Sequence, residues 1–281
     1  VRETYNRIIL DKKEQEVAAE NLTALRQFYS RVEIRFQSGK ARKNELQRAK
    51  IELLEAEAKC LSAEKELKTD KARLNLLLGR QVDTPFDIRD ELVDEELEIN
   101  FKELSEMALK NRPDIKQEEL SLDSKTKNLA RERLNGLPSP FVGWDRTTTD
   151  YENDSTVTLG MSVPLWGFNR GQAQKAVAEK EAQQVKLEAS KREAALDVYE
   201  AYLNMELVHR KFELLKKSLE EANELLRVAD LSYSEGDIDF INFLDQVRTA
   251  TETRIKYYKG LYELNNAISR LEITIYASLR K

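Results

Sequence analysis

A chain of 281 residues with only 9 glycines and 5 prolines has few places to turn, and 35% of it is charged, so long helices with wet surfaces are implied. Its 46 basic and 51 acidic residues give a net charge of -5, and without a basic block to track a phosphate backbone, nucleic acid is excluded as a partner. No apolar run approaches the roughly 18 residues of a membrane-spanning helix, and a single cysteine, Cys60, excludes an internal disulfide and a cysteine-based zinc site.

The chain opens at Val1 already inside a helical pattern and without an initiator methionine, which predicts a processed or truncated product. Ala18, Leu22, Leu25, Tyr29, Val32 and Phe36 step by four and three, and after Gly39 the same rhythm resumes at Leu46, Ala49, Leu53, Ala56, Cys60, Ala63 and Leu67. Residues 1–79 are therefore predicted to form a helical hairpin whose arms meet along a coiled-coil seam, with Cys60 as a packed thiol within it. Residues 80–135 have a different texture. Gln81 to Asn100 is acidic and carries Pro85, as an irregular connector would. A short helix follows, then a break at Arg112-Pro113 and a second helix that takes Pro113 at its first position, where the missing N–H costs nothing.

Over 136–168 the period changes to two. Turn residues from Thr147 to Asp154 separate two extended pieces, which predicts a β-hairpin. In the second piece Val157, Leu159, Met161, Val163 and Leu165 face one way, and Thr156, Thr158, Gly160 and Ser162 the other. A lone hairpin with one apolar face is marginal in water, but its length and alternation suit a strand of a membrane barrel, apolar side to lipid. Trp144, Tyr151 and Trp166 are expected towards the hairpin's ends, where interfacial aromatics sit. Two strands cannot close a barrel, so several chains would have to share one.

Residues 169–281 return to helix. The longest seam runs Ala194, Val198, Ala201, Met205, Val208, Phe212, Leu215, Leu219, Ala222, Leu226, Ala229 and Tyr233, then breaks at Gly236. As one helix, Asn169 to Ser234 would be about 100 Å long. Its partner carries Val247, Ala250, Tyr257, Leu261, Leu264, Ile268, Leu271 and Ile275. The two hairpins also resemble each other: FQSGKARKNELQRA and YSEGDIDFINFLDQV both set an aromatic three residues before glycine and resume the seam at Leu46 or Leu244. This quasi-repeat predicts two structural halves.

The motifs NRPDI (111–115), LPS (137–139), GMSVPLWGFNRGQAQKA (160–176) and YSEGDIDFINFLDQ (233–246), in this order among long paired helices, make the sequence resemble the TolC-like outer-membrane efflux family. The form PLWGFNRGQ is most similar to the heavy-metal efflux branch. The resemblance covers essentially the whole chain. It implies a mainly α fold: long antiparallel coiled-coil helices of a periplasmic α-barrel, a membrane β-hairpin and a small mixed equatorial segment. It further implies a homotrimer in the outer membrane and periplasm of a Gram-negative bacterium, acting with a periplasmic adaptor and an inner-membrane pump as the exit duct for small molecules or metal ions. The family has a first helix and a first hairpin ahead of the place that matches Val1, so either an N-terminal part is expected to be missing or the protein is a divergent relative.

The same resemblance points to the hairpin tips as the periplasmic gate. Motif for motif, the paired acidic positions fall on Asn242 and Asp245, the tip tyrosine on Tyr233, and the partner polar pair on Asn44 and Glu45; Asp239 belongs to the same polar cluster. The basic link of the family falls on Ile238, so that tie should be missing. Like charges ringed about a threefold axis repel one another and attract cations, which favours opening and selects traffic; the blander role for Asp239, Asn242 and Asp245 is to cap and solvate a helix start.

No catalytic residue or cofactor site is expected. The sequence has no Gly-rich phosphate loop, no nucleophile elbow, and no histidine but His209 to complete a triad. Met205 and His209 lie four apart, but Met205 belongs to the seam and no third ligand is near, so no metal is expected; Asp237 and Asp239 lack the spacing of a calcium loop. A purely structural coiled-coil protein would explain the seams but not the alternating strand. A periplasmic adaptor would need a second β-rich region.

Overall fold

The computed structural model describes residues 1–88, 91–94, 100–149, 151–163 and 169–279. Among these the elements are α1 (Arg2–Gln37), α2 (Lys43–Leu77), α3 (Phe101–Asn111), α4 (Pro113–Leu134), β1 (Ser139–Thr149), β2 (Glu152–Ser162), α5 (Arg170–Glu235) and α6 (Phe240–Ile275). The fold is mainly helical with one small antiparallel sheet. Among the described residues no helix is long and apolar enough to cross a membrane. The chain divides into two compact units: residues 1–99 with 200–273 and 278–281, and residues 100–199 with 274–277. α5 contributes to both.

In the first unit the apolar period is the organising force. Leu25, Val32, Ala49, Ala56, Met205, Phe212, Ala222, Ala229, Ala250, Leu261, Leu264, Ile268 and Leu271 are buried, and the seam positions between them are half-buried. Small residues at many of these positions let the helices approach closely. At Gly260 a Cβ would stand 2.5 Å from Leu215 Cδ1, so α6 crosses α5 where a hydrogen is the only side chain that fits without displacing the leucine. Ion pairs mark the rims of these contacts: Arg26–Glu57 between α1 and α2 at 3.1 Å, Arg254–Glu20 between α6 and α1 at 2.8 Å, and Arg248–Glu52 between α6 and α2 at 2.9 Å. Exposed pairs of this kind add little stability. The irregular segment after α2 is tied down by side chains. The buried Asn75 donates to the carbonyls of Val82 and Thr84 at 3.2 and 2.8 Å, and Ile88 packs with Ile8, Ile9 and Leu74.

In the second unit, Asn100 caps α3 by accepting from the Lys102 N–H at 3.1 Å, and Pro113 stands in the first turn of α4. The Arg-Pro junction makes a clamp: Arg112 bonds Asp114 at 2.7 Å and reaches Asp197 on α5 at 2.8 Å. The guanidinium holds Asp114 below the usual carboxylate range. Ile115, Leu187 and Ala194 form the apolar contact beneath it. Asn169 enters α5 with φ 56°, a left-handed conformation that asparagine tolerates better than most residues. Its amide donates to the Glu132 carbonyl and carboxylate at 2.8 and 2.9 Å.

The hairpin of the same unit is longer than the turn residues predict. Ser139 pairs with Ser162 and Thr149 with Glu152, so the strands run through Thr147, Thr148, Asn153 and Asp154, and Tyr151 stands in the turn. The β-branched threonines suit a pleated strand, and cross-strand bonding outweighs the turn preference of Asn153 and Asp154.

Candidate functional site: the hairpin tips and the strand face

The tips of the two helical hairpins meet in the first unit. α1 and α5 each end at a glycine in the left-handed region, Gly39 at φ 73° and Gly236 at φ 90°. Their turns are closed by bonds from Lys40 N to Arg35 O and from Asp237 N to Ser232 O, both 2.8 Å. A glycine at this position ends a helix without the steric cost of a Cβ. Between the turns lies an aromatic cluster. Phe28 is buried, with its ring centroid 4.9 Å from Phe243, 5.4 Å from Phe240 and 5.4 Å from Tyr233, and Val32, Ala49 and Ala229 complete the core. Such ring pairs hold more than their buried area implies.

Tyr233 belongs to this cluster. Its ring stacks on Phe243 at 4.8 Å with 24° between the planes, and the Arg35 guanidinium lies 5.8 Å from its centroid. Burial, with Glu45 adding to it against the pull of Arg35, pushes the Tyr233 phenol above its ordinary range. Glu45 is half-buried. Asn44 stands beside it and accepts from the Glu45 N–H at 3.0 Å, a donor shared with the Arg42 carbonyl at 3.1 Å. Asp239 is the N-cap of α6, accepting from the Asn242 N–H at 2.8 Å. Asn242 and Asp245 are exposed. Asp245 lines a groove of about 250 Å³ with Arg48, Ile51, Glu52, Ile241, Leu244 and Arg248. The tip residues thus divide: Tyr233 packs in the aromatic core, Glu45 is half-buried at the start of α2, Asp239 closes a helix, and Asn242 and Asp245 are exposed. Sequence reasoning missed Phe28, which sits one position before Tyr29. It also missed the pair Phe240 and Phe243, visible in retrospect as an aromatic at each end of FINF.

On the strand face, the register puts Pro140 opposite Met161, Val142 opposite Leu159 and Trp144 opposite Val157. Val142, Trp144, Val157, Leu159 and Met161 are all well exposed, Leu159 by 76%. Arg146 and Ser155 end this apolar face towards the turn. Trp144 therefore stands mid-strand, a correction to its expected place near the end; Tyr151 is at the turn and 99% exposed. The opposite face carries Gly143 beside Thr158 and Asp145 beside Thr156, and the Phe141 ring covers Gly160 so closely that a Cβ there would lie 2.4 Å from it. Val163 is exposed one residue beyond β2. Leu165 and Trp166 lie outside the described residues.

The sequence pattern of the family described as "Outer membrane efflux protein" matches residues 1–80 and 104–274. The chain belongs to the outer membrane efflux protein family. This family consists of channel proteins rather than enzymes. Solved channels share its fold. The open-state MtrE outer membrane channel of Neisseria gonorrhoeae superposes with TM-score 0.77 at 20% identity, over 99% of this chain and 65% of that one. CusC, whose structures are described in terms of folding and transmembrane channel formation, gives 0.76 at 18%, over 99% and 67%. A membrane protein from Pseudomonas aeruginosa gives 0.73 at 18%, over 98% and 66%. The efflux-family chain thus spans about two thirds of the length of these proteins. No curated protein sequence matches it significantly.

Proposed function

We propose that the protein is the outer-membrane exit duct of an efflux system, a homotrimer in a Gram-negative envelope that passes small molecules or metal ions from an inner-membrane pump and its periplasmic adaptor. One observation carries this reading beyond family membership: a pair of 11-residue strands exposes a row of large apolar side chains on one face, which lipid would cover and water would not. Several copies must contribute strands before such a sheet closes.

The helices support the same assembly. Besides their buried seams, α2 leaves Ile51, Leu54 and Leu61 exposed, and α5 leaves Leu203, Leu207, Leu214, Val228 and Leu231 exposed, with spacings of a second apolar edge. A second copy of the chain would bury these edges and form the wall of an α-barrel. In this account Val157, Leu159, Met161 and Val163 face lipid. Asn44, Glu45, Tyr233, Asp239, Asn242 and Asp245 surround the periplasmic aperture, with Asp245 lining it and Glu45 tying coils together.

The gate assignment has a direct test. In single-channel recordings of the reconstituted full-length protein, Asp245→Asn is expected to weaken block by a divalent cation, because a ring of facing carboxylates binds cations more strongly than isolated ones. Glu45→Ala is expected to raise basal conductance and leave cation block in place. If both variants conduct as the parent does, these residues are solvated helix ends and the aperture is built from others.

A further inference from the structure

At the end of the first hairpin away from its turn, two acidic side chains are buried where α1 meets α2. Asp11 is 1% and Asp70 4% exposed. A buried carboxylate is costly unless donors surround it. Asp70 has them: Arg73 Nη1 donates at 2.8 Å, and Arg7 Nε is 3.6 Å away. Asp11 does not. Arg7 Nε forms an ion pair with it at 2.9 Å, yet among the described residues no donor is placed to make a hydrogen bond to either of its oxygens. The same Arg7 Nε stands 2.9 Å from Asp11 and 3.6 Å from Asp70, which brings the two buried carboxyl groups side by side. Two ionised carboxylates only accept; the contact becomes a hydrogen bond when one of them carries a proton.

We propose that Asp11 and Asp70 share a single proton, and that this proton is the clasp holding α1 to α2 at this end of the hairpin. It accounts at once for the burial of both groups and for the missing donors at Asp11. The surrounding charges leave it in place. On α1, Arg7 faces both carboxylates and Glu14 lies one turn on; on α2, Arg73 is engaged with Asp70. From α6, Lys259 neutralises Glu14 at 3.3 Å and Tyr262 lies beneath Arg7. From the connector, Asp87 is occupied by Lys12 at 3.6 Å and Glu91 by Lys13 at 3.5 Å.

The geometry has a pH consequence. Burial first, and the bond to Asp70 second, push Asp11 up to about 7 against the pull of Arg7. The folded value lies above the unfolded one, so the contribution to stability is complete in acid and is lost as pH rises through about 7. The clasp depends on the hairpin alone, so it stands or falls separately from the channel reading.

Hydrogen exchange of the full-length protein, corrected for the intrinsic pH dependence of the rate, tests it. Local opening of residues 5–15 and 66–76 is expected to rise about tenfold between pH 6 and pH 8, from a group titrating near 7. The tip amides of 25–35 serve as an unresponsive control. In Asp11→Asn, which keeps the size and donates to Asp70 without titrating, the pH dependence should vanish. Infrared spectra of protein with isotope-labelled aspartate should show a protonated carboxylic acid at pH 6 that is gone by pH 8. Absence of that band at pH 6 in the parent would overturn the proposal whether or not the variant folds. So would an Asp11→Asn protein that loses protection with pH as the parent does.

Discussion

Leu159→Arg is expected to lose outer-membrane insertion, while Thr158→Arg, one residue away, keeps most of it. The two side chains leave β2 on opposite faces. Leu159 pairs with Val142 within the exposed apolar row, and Thr158 pairs with Gly143 on the face that also carries Asp145 and Thr156. An arginine on the lipid side near the midplane costs about 2 to 4 kcal/mol, and on the lumen side much less. In a shared barrel the cost recurs once per copy. The measurement is the yield of each variant in the outer-membrane fraction, with its urea midpoint in bilayers. Equal insertion of both variants would show that the faces have been assigned the wrong way or that no barrel forms.

Phe28→Ala is expected to lower stability by about 3 to 5 kcal/mol, the range for removing a large buried aromatic. Its ring touches Phe240, Phe243 and Tyr233, so it joins α1 of the first hairpin to α5 and α6 of the second. With the ring gone, the tips lose the packing that holds them side by side, and Tyr233 keeps its stack on Phe243 but loses its tilted contact with Phe28. Phe28→Leu should recover a large part of the loss, since it refills much of the volume without the ring geometry. Chemical denaturation gives the magnitude, and hydrogen exchange at 25–35 and 229–245 gives the location. A loss below about 1 kcal/mol would mean that the tips are held by something other than this cluster.

The helices were legible because a coiled-coil seam is a period, and a period is visible in one dimension. Positions Leu25, Val32, Ala49, Ala56, Phe212, Leu264 and Leu271 follow from spacing alone and are buried as it requires. The strand was legible for the same reason, through its alternation. What spacing does not carry is which face of a helix meets a third helix. Phe28 lies beside Tyr29, and only the approach of α6 decides that Phe28 takes the centre. Asp11 and Asp70 read as ordinary charges of a wet helix until α1 and α2 are brought together. Gly260 reads as a weak point in a helix until Leu215 is seen above it. Asn153 and Asp154 read as turn because both residue types favour turns locally, while the register of the whole ladder places them in strand. The tip residues are a further case: their positions came from a family motif, and whether Asp245 lines an aperture depends on neighbouring copies rather than on the chain that carries it.

The central claim is that copies of this chain bury one another's second apolar edges and close one barrel between them. Mass measurement of the full-length protein extracted from outer membranes in mild detergent, by light scattering or native mass spectrometry, tests it most directly. A trimer that persists on dilution is the predicted result; a stable monomer at every concentration would contradict it.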